Sequence, residues 1–477
     1  MKSNIFFVLF FTVFVNLTVV AKNHSLKNII CMTENQTDYF LEKLSVKELC
    51  EDFESFCYLI ETSYSGFSEM KKNGFEIEKM KIDFYNYVKD KEEIFSFNLC
   101  NYLNSYLKDY INDNHFAICF KNSIRNFIDI KKVYFSNIYV KAINNTYKVV
   151  FSDEDYLKVN DYIMVSPENL FLTFKSGEEV YRVGILSQNS SEHKVAVKNK
   201  DGDFNLECKE KFYSQAKTKP IQYKERLTDE SHYMYLSTFA CYSDSERIIK
   251  MFNNIFSRFV SSPMRTDDRK NIIIDLRGNQ GGNPEIALCY LTNLYYKNAD
   301  KKGEPRQEEY DRLESFVGTY NYEESINSPV VRKFLTGKHK NNKIEIINNK
   351  KNAPELEVPK FNQNIYFIFN KETSSAAEFF YVQAKTLLGD NCNIKVIGEN
   401  SAGCINFVNP CIYKLKKSGI VVKIPSTRLI MEKENIVEGI GVIPDYWCSD
   451  EGLLETLVNV TGDKKLYEVL KDINWDL

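Results

Sequence analysis

IYFIFNKETSSAAE, residues 365–378, is the stretch from which the rest of the chain is read. Its first five residues, Ile365 to Phe369, are apolar and rich in β-branched and aromatic side chains, the pattern of a short buried strand. Thr373 to Glu378 form a small, polar turn leading into the helical pattern Phe379, Phe380, Val382 and Ala384. A serine at such a strand-to-helix turn sits where unpaired backbone N–H groups and the helix dipole favour negative charge. Developing oxyanions are stabilised in that way. Ser375 followed by Glu378 is equally the S-x-x-E capping box of an ordinary helix start. On these residues alone both readings stand.

Outward from this stretch the chain alternates strand and helix. Tyr233-Met-Tyr-Leu236 reads as a strand, and Glu246 to Val260 as a helix with Ile248, Ile249, Phe252 and Phe256 on one face. Asn271 to Leu276 is a second buried strand, followed by a glycine-rich turn and a helix from Pro284 to Tyr296. The pattern resumes at Ile365 and continues through Lys395-Val-Ile397 to Pro444. Such alternation predicts an α/β core. A polar insertion, about 298–359, divides it and is too long for a simple connection; a partly helical segment or a lid is expected there.

Two different regions precede the core. Residues 22–126 read as a helical N-terminal domain, with Leu49, Phe53, Phe56, Leu59 and Ile60, then Phe95, Leu99, Leu103, Leu107 and Ile111, at helical spacing. Residues 127–218 read as a β-rich module with short runs such as Val133–Phe135, Ile138–Val140, Tyr147–Phe151 and Val180–Val183 between polar turns. The core spans 219–450, and 451–477 reads as a closing helix with an end strand or coil.

The 477 residues, 43% of them hydrophobic, suffice for several cores. A formal net charge of −3 argues against a nucleic-acid partner, which needs a concentrated basic face. Lys2, the apolar run Ile5 to Val20 and the small residues ending at Ala21 form a secretory signal peptide, residues 1–21, cleaved near Ala21. The run contains Asn16 and Thr18 and is short for a membrane anchor, and no other stretch could cross a bilayer. A secreted location would place all twelve cysteines in an oxidising compartment and predicts several disulfides, with Cys289 and Cys404 as buried thiols of the core. Sequons at Asn23, Asn35, Asn144, Asn189 and Asn459 fit glycosylation. No Cys-x-x-Cys or His-x-x-x-His spacing occurs, so neither metal nor other cofactor is expected.

The turn Asp275-Leu-Arg-Gly-Asn-Gln-Gly-Gly282 follows a strand and opens a helix. Gly281 and Gly282 allow positive φ and close backbone approach, so their N–H groups can face a ligand oxygen. The turn lacks the Gly-Lys-Ser/Thr of a P-loop and the spacing of a dinucleotide fingerprint. An oxyanion hole or a merely tight turn remains.

Taken in order, Asp275-Leu-Arg-x-Asn-x-Gly-Gly282, Ser375-Ala-x-Glu378, Gly398-Glu-x-Ser-x-Gly403 and Glu438-Gly-x-Gly-Val-x-Pro-Asp445 resemble the signature of the C-terminal processing (tail-specific) serine protease family. Tyr233 to Phe239 resembles the strand that opens that family's core. The resemblance covers about the last half of the chain. It implies a spiral α/β core of the Clp-protease and crotonase kind, preceded by a helical domain and a PDZ-like module. It assigns Ser375 as nucleophile, with oxyanion donors in the backbone of Ala376 and in the Gly281-Gly282 turn, and polypeptides as substrates.

The branch with a Ser-Lys dyad carries lysine directly after the glycine motif, where this chain has Cys404, and Lys385 and Lys395 read as surface residues. The chain is more similar to the tricorn-core branch, which uses serine, histidine and glutamate. Asn112-Asp-Asn-His-Phe116 then supplies His115 as base and the final motif supplies Glu438 as its orienting acid. Asn114 stands where relatives have glycine, Phe116 for threonine, and Ser401 for the threonine of the glycine motif. The rival histidine is His232, beside the opening strand. Two other functions fit the same fold: an inactive carrier of hydrophobic ligands, as in interphotoreceptor retinoid-binding protein, or a PDZ-like peptide-recognition protein with a dead core.

Overall fold

A computed structural model describes residues 29–31, 43–119, 131–143, 146–187, 193–209, 221–241, 245–265, 269–299, 305–317, 321–324, 345–348, 356–430 and 436–472. The expected signal peptide and the sequons at Asn23, Asn35, Asn144 and Asn189 lie outside these residues. The chain divides into two compact units.

The first unit combines residues 1–128 with 322–347 and 407–428. Helices Val46–Ser63, Phe67–Lys72, Ile77–Val88 and Ser96–Leu107 form its helical part. Ser45 and Glu48 close a capping box at the first of them. Leu49, Phe53, Phe56 and Ile60 bury one stripe of that helix, and Phe53 stacks on Phe84 at 3.8 Å between ring centroids. Leu415, Ile420, Val422 and Ile424 of an antiparallel hairpin share this core. The hairpin is also tied down by buried Asp52, which accepts hydrogen bonds from the Lys417 and Ser418 amides. Its strand Val421–Ile430 pairs with Ala117–Cys119.

The second unit holds two sheets. One has seven strands, in the order Gly202–Glu207, Lys194–Asn199, Tyr162–Val165, Thr146–Phe151, Lys132–Ile143, Glu178–Ser187, Leu170–Lys175. The runs Val133–Phe135 and Ile138–Val140 belong to a single strand, irregular between Phe135 and Tyr139. Ser136 turns inward there and its hydroxyl donates to the Val183 carbonyl at 2.9 Å.

The other sheet runs Tyr223–Leu227, Ser231–Leu236, Asn271–Asp275, Asn364–Phe369, Asn393–Gly398, Tyr446–Trp447. The first pair is antiparallel and every later pair parallel, so successive strands step across the sheet in chain order. Helices Glu246–Val260, Glu285–Asn298 and Ala376–Leu388 cover one face, where Met234, Leu236, Ile274, Phe367 and Val396 point. Tyr233, Tyr235, Ile273, Tyr366 and Ile397 point the other way, onto Leu453, Leu457, Leu466 and Leu470 of the final helices. Burial on both faces explains the unbroken apolar runs. The fold is thus mixed α/β with a helical N-terminal region, the class expected from the sequence. All parallel strands end on the same side, and the three signature turns leave from those ends.

Two expectations change. Among the described residues no disulfide is formed: Cys57, Cys119, Cys208, Cys392 and Cys448 are buried free thiols, and Cys289 and Cys404 are half-buried. The sequence reading expects several disulfides with no set pairing, and these buried cysteines stand singly instead. Asn459 lies half-buried within helix Leu453–Thr461, its amide donating to the Glu455 carbonyl, and Thr461 of its sequon is buried, so that sequon is helical rather than an open loop. No helix among the described residues is long and apolar enough to cross a membrane.

Candidate active site

Phe369 ends its strand, and residues 370–375 turn sharply before the helix Ala376–Leu388 begins. The turn is stitched at each step. Thr373 donates through its hydroxyl to the Leu276 carbonyl at 2.9 Å, and the Ser374 amide donates to the Asn279 carbonyl at 3.0 Å. Asn370 Oδ1 accepts from the Gly278 amide at 2.9 Å and the Glu372 amide at 3.1 Å. Held in this way, Ser375 adopts φ +56° and ψ −124°. A non-glycine residue in that region carries on the order of 1–3 kcal/mol of strain, which persists only when its surroundings impose it. Nucleophile elbows are likewise strained strand-to-helix turns with a serine at the bend.

The glycine-rich turn lies against this elbow. A Cβ on Gly281 (φ +88°) would stand 2.8 Å from both the Ala376 nitrogen and the Ser374 carbonyl oxygen. One on Gly282 (φ +135°) would stand 2.3 Å from the Phe239 carbonyl carbon. Only glycine allows this approach. Asn279 sets the turn, donating to the Leu236 carbonyl at 3.0 Å and accepting the Gly281 amide at 2.9 Å. The Gly281 amide is therefore committed inside the turn. Of the three residues expected to form an oxyanion hole, Gly281 supplies the close fit, while Gly282 and Ala376 retain amides that no described acceptor takes.

Glu378 forms its half of the capping box, accepting the Ser375 amide at 2.9 Å, but its role extends further. The carboxylate is fully buried and also accepts from Ser401 Oγ at 2.5 Å, the Gly403 amide at 2.7 Å and the Cys404 amide at 2.9 Å. Burial raises its pKa, and these hydrogen bonds offset only part of that rise. Glu438 is buried as well, with Oε2 accepting from the Ile405 amide at 3.2 Å and the Asn406 amide at 3.0 Å. Its turn is anchored by the Gly439 amide, which donates to the Gly403 carbonyl at 2.8 Å. Ser375, Ala376, Gly281, Gly282 and Glu438 all belong to the second unit.

His115 belongs to the first unit. It follows the helix Ser96–Leu107 and precedes the strand Ala117–Cys119. Asp113 Oδ1 shapes the loop, accepting the His115 amide at 2.7 Å and the Phe116 amide at 3.1 Å. The Asp113 carboxyl is wholly enclosed, and burial pushes its pKa up to about 7. The His115 ring is buried, and burial first and the nearby Lys423 charge second lower its pKa to about 4, against a hydrogen bond to the Phe407 backbone. The imidazole is therefore neutral at pH 7 and able to accept a proton.

The alternatives lie elsewhere. His232 is bonded to Glu225 at 2.8 Å and sits four residues before the Leu236 end of its strand, about 13 Å from the loop side at 3.3 Å per residue. Lys395 is paired with Asp445 at 2.9 Å, which raises its pKa and keeps it charged, and Lys385 is exposed. Sequence reasoning treated Glu378 as a capping residue and a position of the serine motif, and Ser401 as a position of the glycine motif. Their burial and shared bond depend on loops separated by over twenty residues, so the motifs name the two positions and not the contact between them.

Residues 233–447 match the profile of peptidase family S41. No curated protein sequence matches the chain. Among solved structures, mature CPAF is similar at 13% identity with TM-score 0.42, over 90% of this chain and 99% of its own. The photosystem II D1 C-terminal processing protease is similar at 12% identity with TM-score 0.38, over 89% and 100%. The tricorn protease is similar at 13% identity with TM-score 0.34, over 88% of this chain and 35% of its own. The family rests on the sequence match, and these distant likenesses add no weight to it.

Proposed function

With residues 233–447 placing the chain in peptidase family S41, a family of serine-type peptidases, we propose that it hydrolyses peptide bonds in polypeptides through Ser375, His115 and Glu438. The observation that carries this reading is the backbone of Ser375, a strained non-glycine residue at the end of a parallel strand with a glycine turn packed on it. Nothing in an ordinary capped helix requires that strain. It is understandable where a hydroxyl must stand clear of the sheet.

In the reaction Ser375 Oγ attacks the scissile carbonyl carbon, and its proton passes to the neutral imidazole of His115. The carbonyl oxygen becomes an oxyanion facing the Gly282 and Ala376 amides at the positive end of the helix. As the C–N bond breaks, the imidazolium returns the proton to the departing amine. Water then attacks the acyl-enzyme by the same route and frees Ser375. Glu438 orients the histidine and stabilises its charged form. The role of His115 is supported by the Asp-Asn-His motif and its neutral, buried ring, and that of Glu438 by its final-motif position. We assign the seven-stranded sheet to a PDZ-like module and the first 21 residues to a signal peptide that directs secretion, both on the sequence patterns above.

The test is labelling of the purified protein with a fluorophosphonate, followed by peptide mapping. Modification is expected at Ser375, lost in Ser375→Ala and slowed on the order of a thousandfold or more in His115→Ala. A parent protein that cleaves unfolded polypeptides no faster than Ser375→Ala would overturn the proposal.

A further inference from the structure

Four consecutive backbone amides, those of Gly403, Cys404, Ile405 and Asn406, point at two buried carboxylates. The first two donate to Glu378, at 2.7 and 2.9 Å, and the next two to Glu438, at 3.2 and 3.0 Å. Glu378 Oε2 takes both the Cys404 amide and the Ser375 amide, so one oxygen joins the nucleophile turn to this loop. Glu378 Oε1 takes the Gly403 amide and the hydroxyl of Ser401. Ser401 Oγ in turn accepts the Val442 amide at 2.7 Å, and so reaches the far side of the Glu438 turn. Gly441 is pressed against Ser401 closely enough that a Cβ would stand 2.3 Å from its hydroxyl oxygen.

We propose that Glu378 and Ser401 are positioning residues for the peptidase reaction, a buried strut that fixes the nucleophile turn of Ser375 relative to the Glu438 turn through the 403–406 loop. The inference rests on Ser375 being the nucleophile. Charge-assisted bonds from several amides to one enclosed carboxylate are short and directional, which suits a spacer that must not yield. Glu378 carries no proton in the reaction and meets no substrate. It acts by keeping the strained Ser375 backbone and the acid turn in register.

The experiment compares fluorophosphonate labelling, kcat and KM of the full chain with those of Ser401→Ala, Ser401→Thr and Glu378→Gln. Ser401→Ala removes the hydroxyl that bridges Glu378 and Val442. It is expected to lower kcat and the labelling rate on the order of tenfold to a hundredfold, the scale on which small misplacements of reacting groups act, with KM little changed. Ser401→Thr restores the hydroxyl and should restore labelling. Glu378→Gln places an amide group opposite N–H donors and should fall at least as far. Should Ser401→Ala not fold, Glu378→Asp, which keeps the charge but withdraws it by one methylene, carries the same expectation. A folded variant that labels within about twofold of the parent, well short of that tenfold drop, overturns the strut. So does a loss of activity that merely follows the unfolded fraction. A parent labelled at Ser375 with unaffected variants removes the strut and leaves the peptidase, whereas an unlabelled parent removes both.

Discussion

Ser375 holds a conformation that costs the folded chain stability, and the cost can be measured. Replacing it with glycine, which adopts positive φ freely, should raise stability by about 1 kcal/mol while abolishing labelling. Urea unfolding would check this, and a midpoint at or below the parent's would remove strain from the account of the elbow. His115 gives a second expectation at this scale. Its pKa lies near 4, below the ordinary 6.5, so the neutral base persists in moderate acid. The acid limb of kcat/KM should then fall near pH 4. Stability follows the same sign for this group: between pH 6.5 and 4 the unfolded chain takes up the proton first, so the histidine's contribution declines as pH falls through that window. A pH–rate profile with its acid limb at 6.5 or higher would exclude the buried ring as base.

Among elements, the strand Asn271–Asp275 does most to join core and site. Its last residue, Asp275, is buried with Arg277 in a two-point ion pair at 2.7 and 3.0 Å, and also accepts the Tyr233 hydroxyl at 2.6 Å. Arg277 also pairs with Asp450. Truncating Arg277 to leucine strands a buried carboxylate and should destabilise by about 3–5 kcal/mol, read from denaturant unfolding. A change below about 1 kcal/mol would show that the pair does little to hold the end of this strand. The element itself was legible in sequence because a parallel strand covered on both faces is an unbroken apolar run. So was the helix Glu246–Val260, whose observed bounds are those expected. Its inner face was less legible. Ile248, expected inside, is exposed, and Phe252 and Phe259 are the buried residues. A helical repeat permits two adjacent stripes, and the sheet beneath decides between them. Ser375, Gly281, Gly282 and Glu438 could be singled out as candidates because each belongs to a local motif. The bonds from the 403–406 amides to Glu378 and Glu438 could not, since they exist only once separate loops meet.

At the scale of the molecule, the sequence divides into consecutive blocks, but the chain packs otherwise. The Phe407–Leu415 and Val421–Ile430 strands fall within the span read as core, yet their apolar residues complete the helical unit's interior. Pattern alone cannot report such pairing, because an amphipathic strand looks the same whichever surface it covers. The second unit follows its own logic, with strand order equal to chain order and the signature turns gathered at the strand ends. A chain ending before Phe407 should therefore expose the faces of Phe53, Phe56 and Leu103 to solvent, and limited proteolysis should cut the region from 43 to 119 readily. Resistance equal to that of the full chain would show that the helices close their core unaided.

That returning hairpin also sets a clock. During synthesis the helices emerge first, but Leu415, Ile420, Val422 and Ile424 leave the ribosome about 300 residues after Cys119, roughly 15–60 s later at ordinary elongation rates. For that interval the nascent helices have an unfinished interior, a period in which chaperones or premature association compete with folding. Order of translation and order of folding are thus separated in this protein, and its first-made segment is among the last to be sealed.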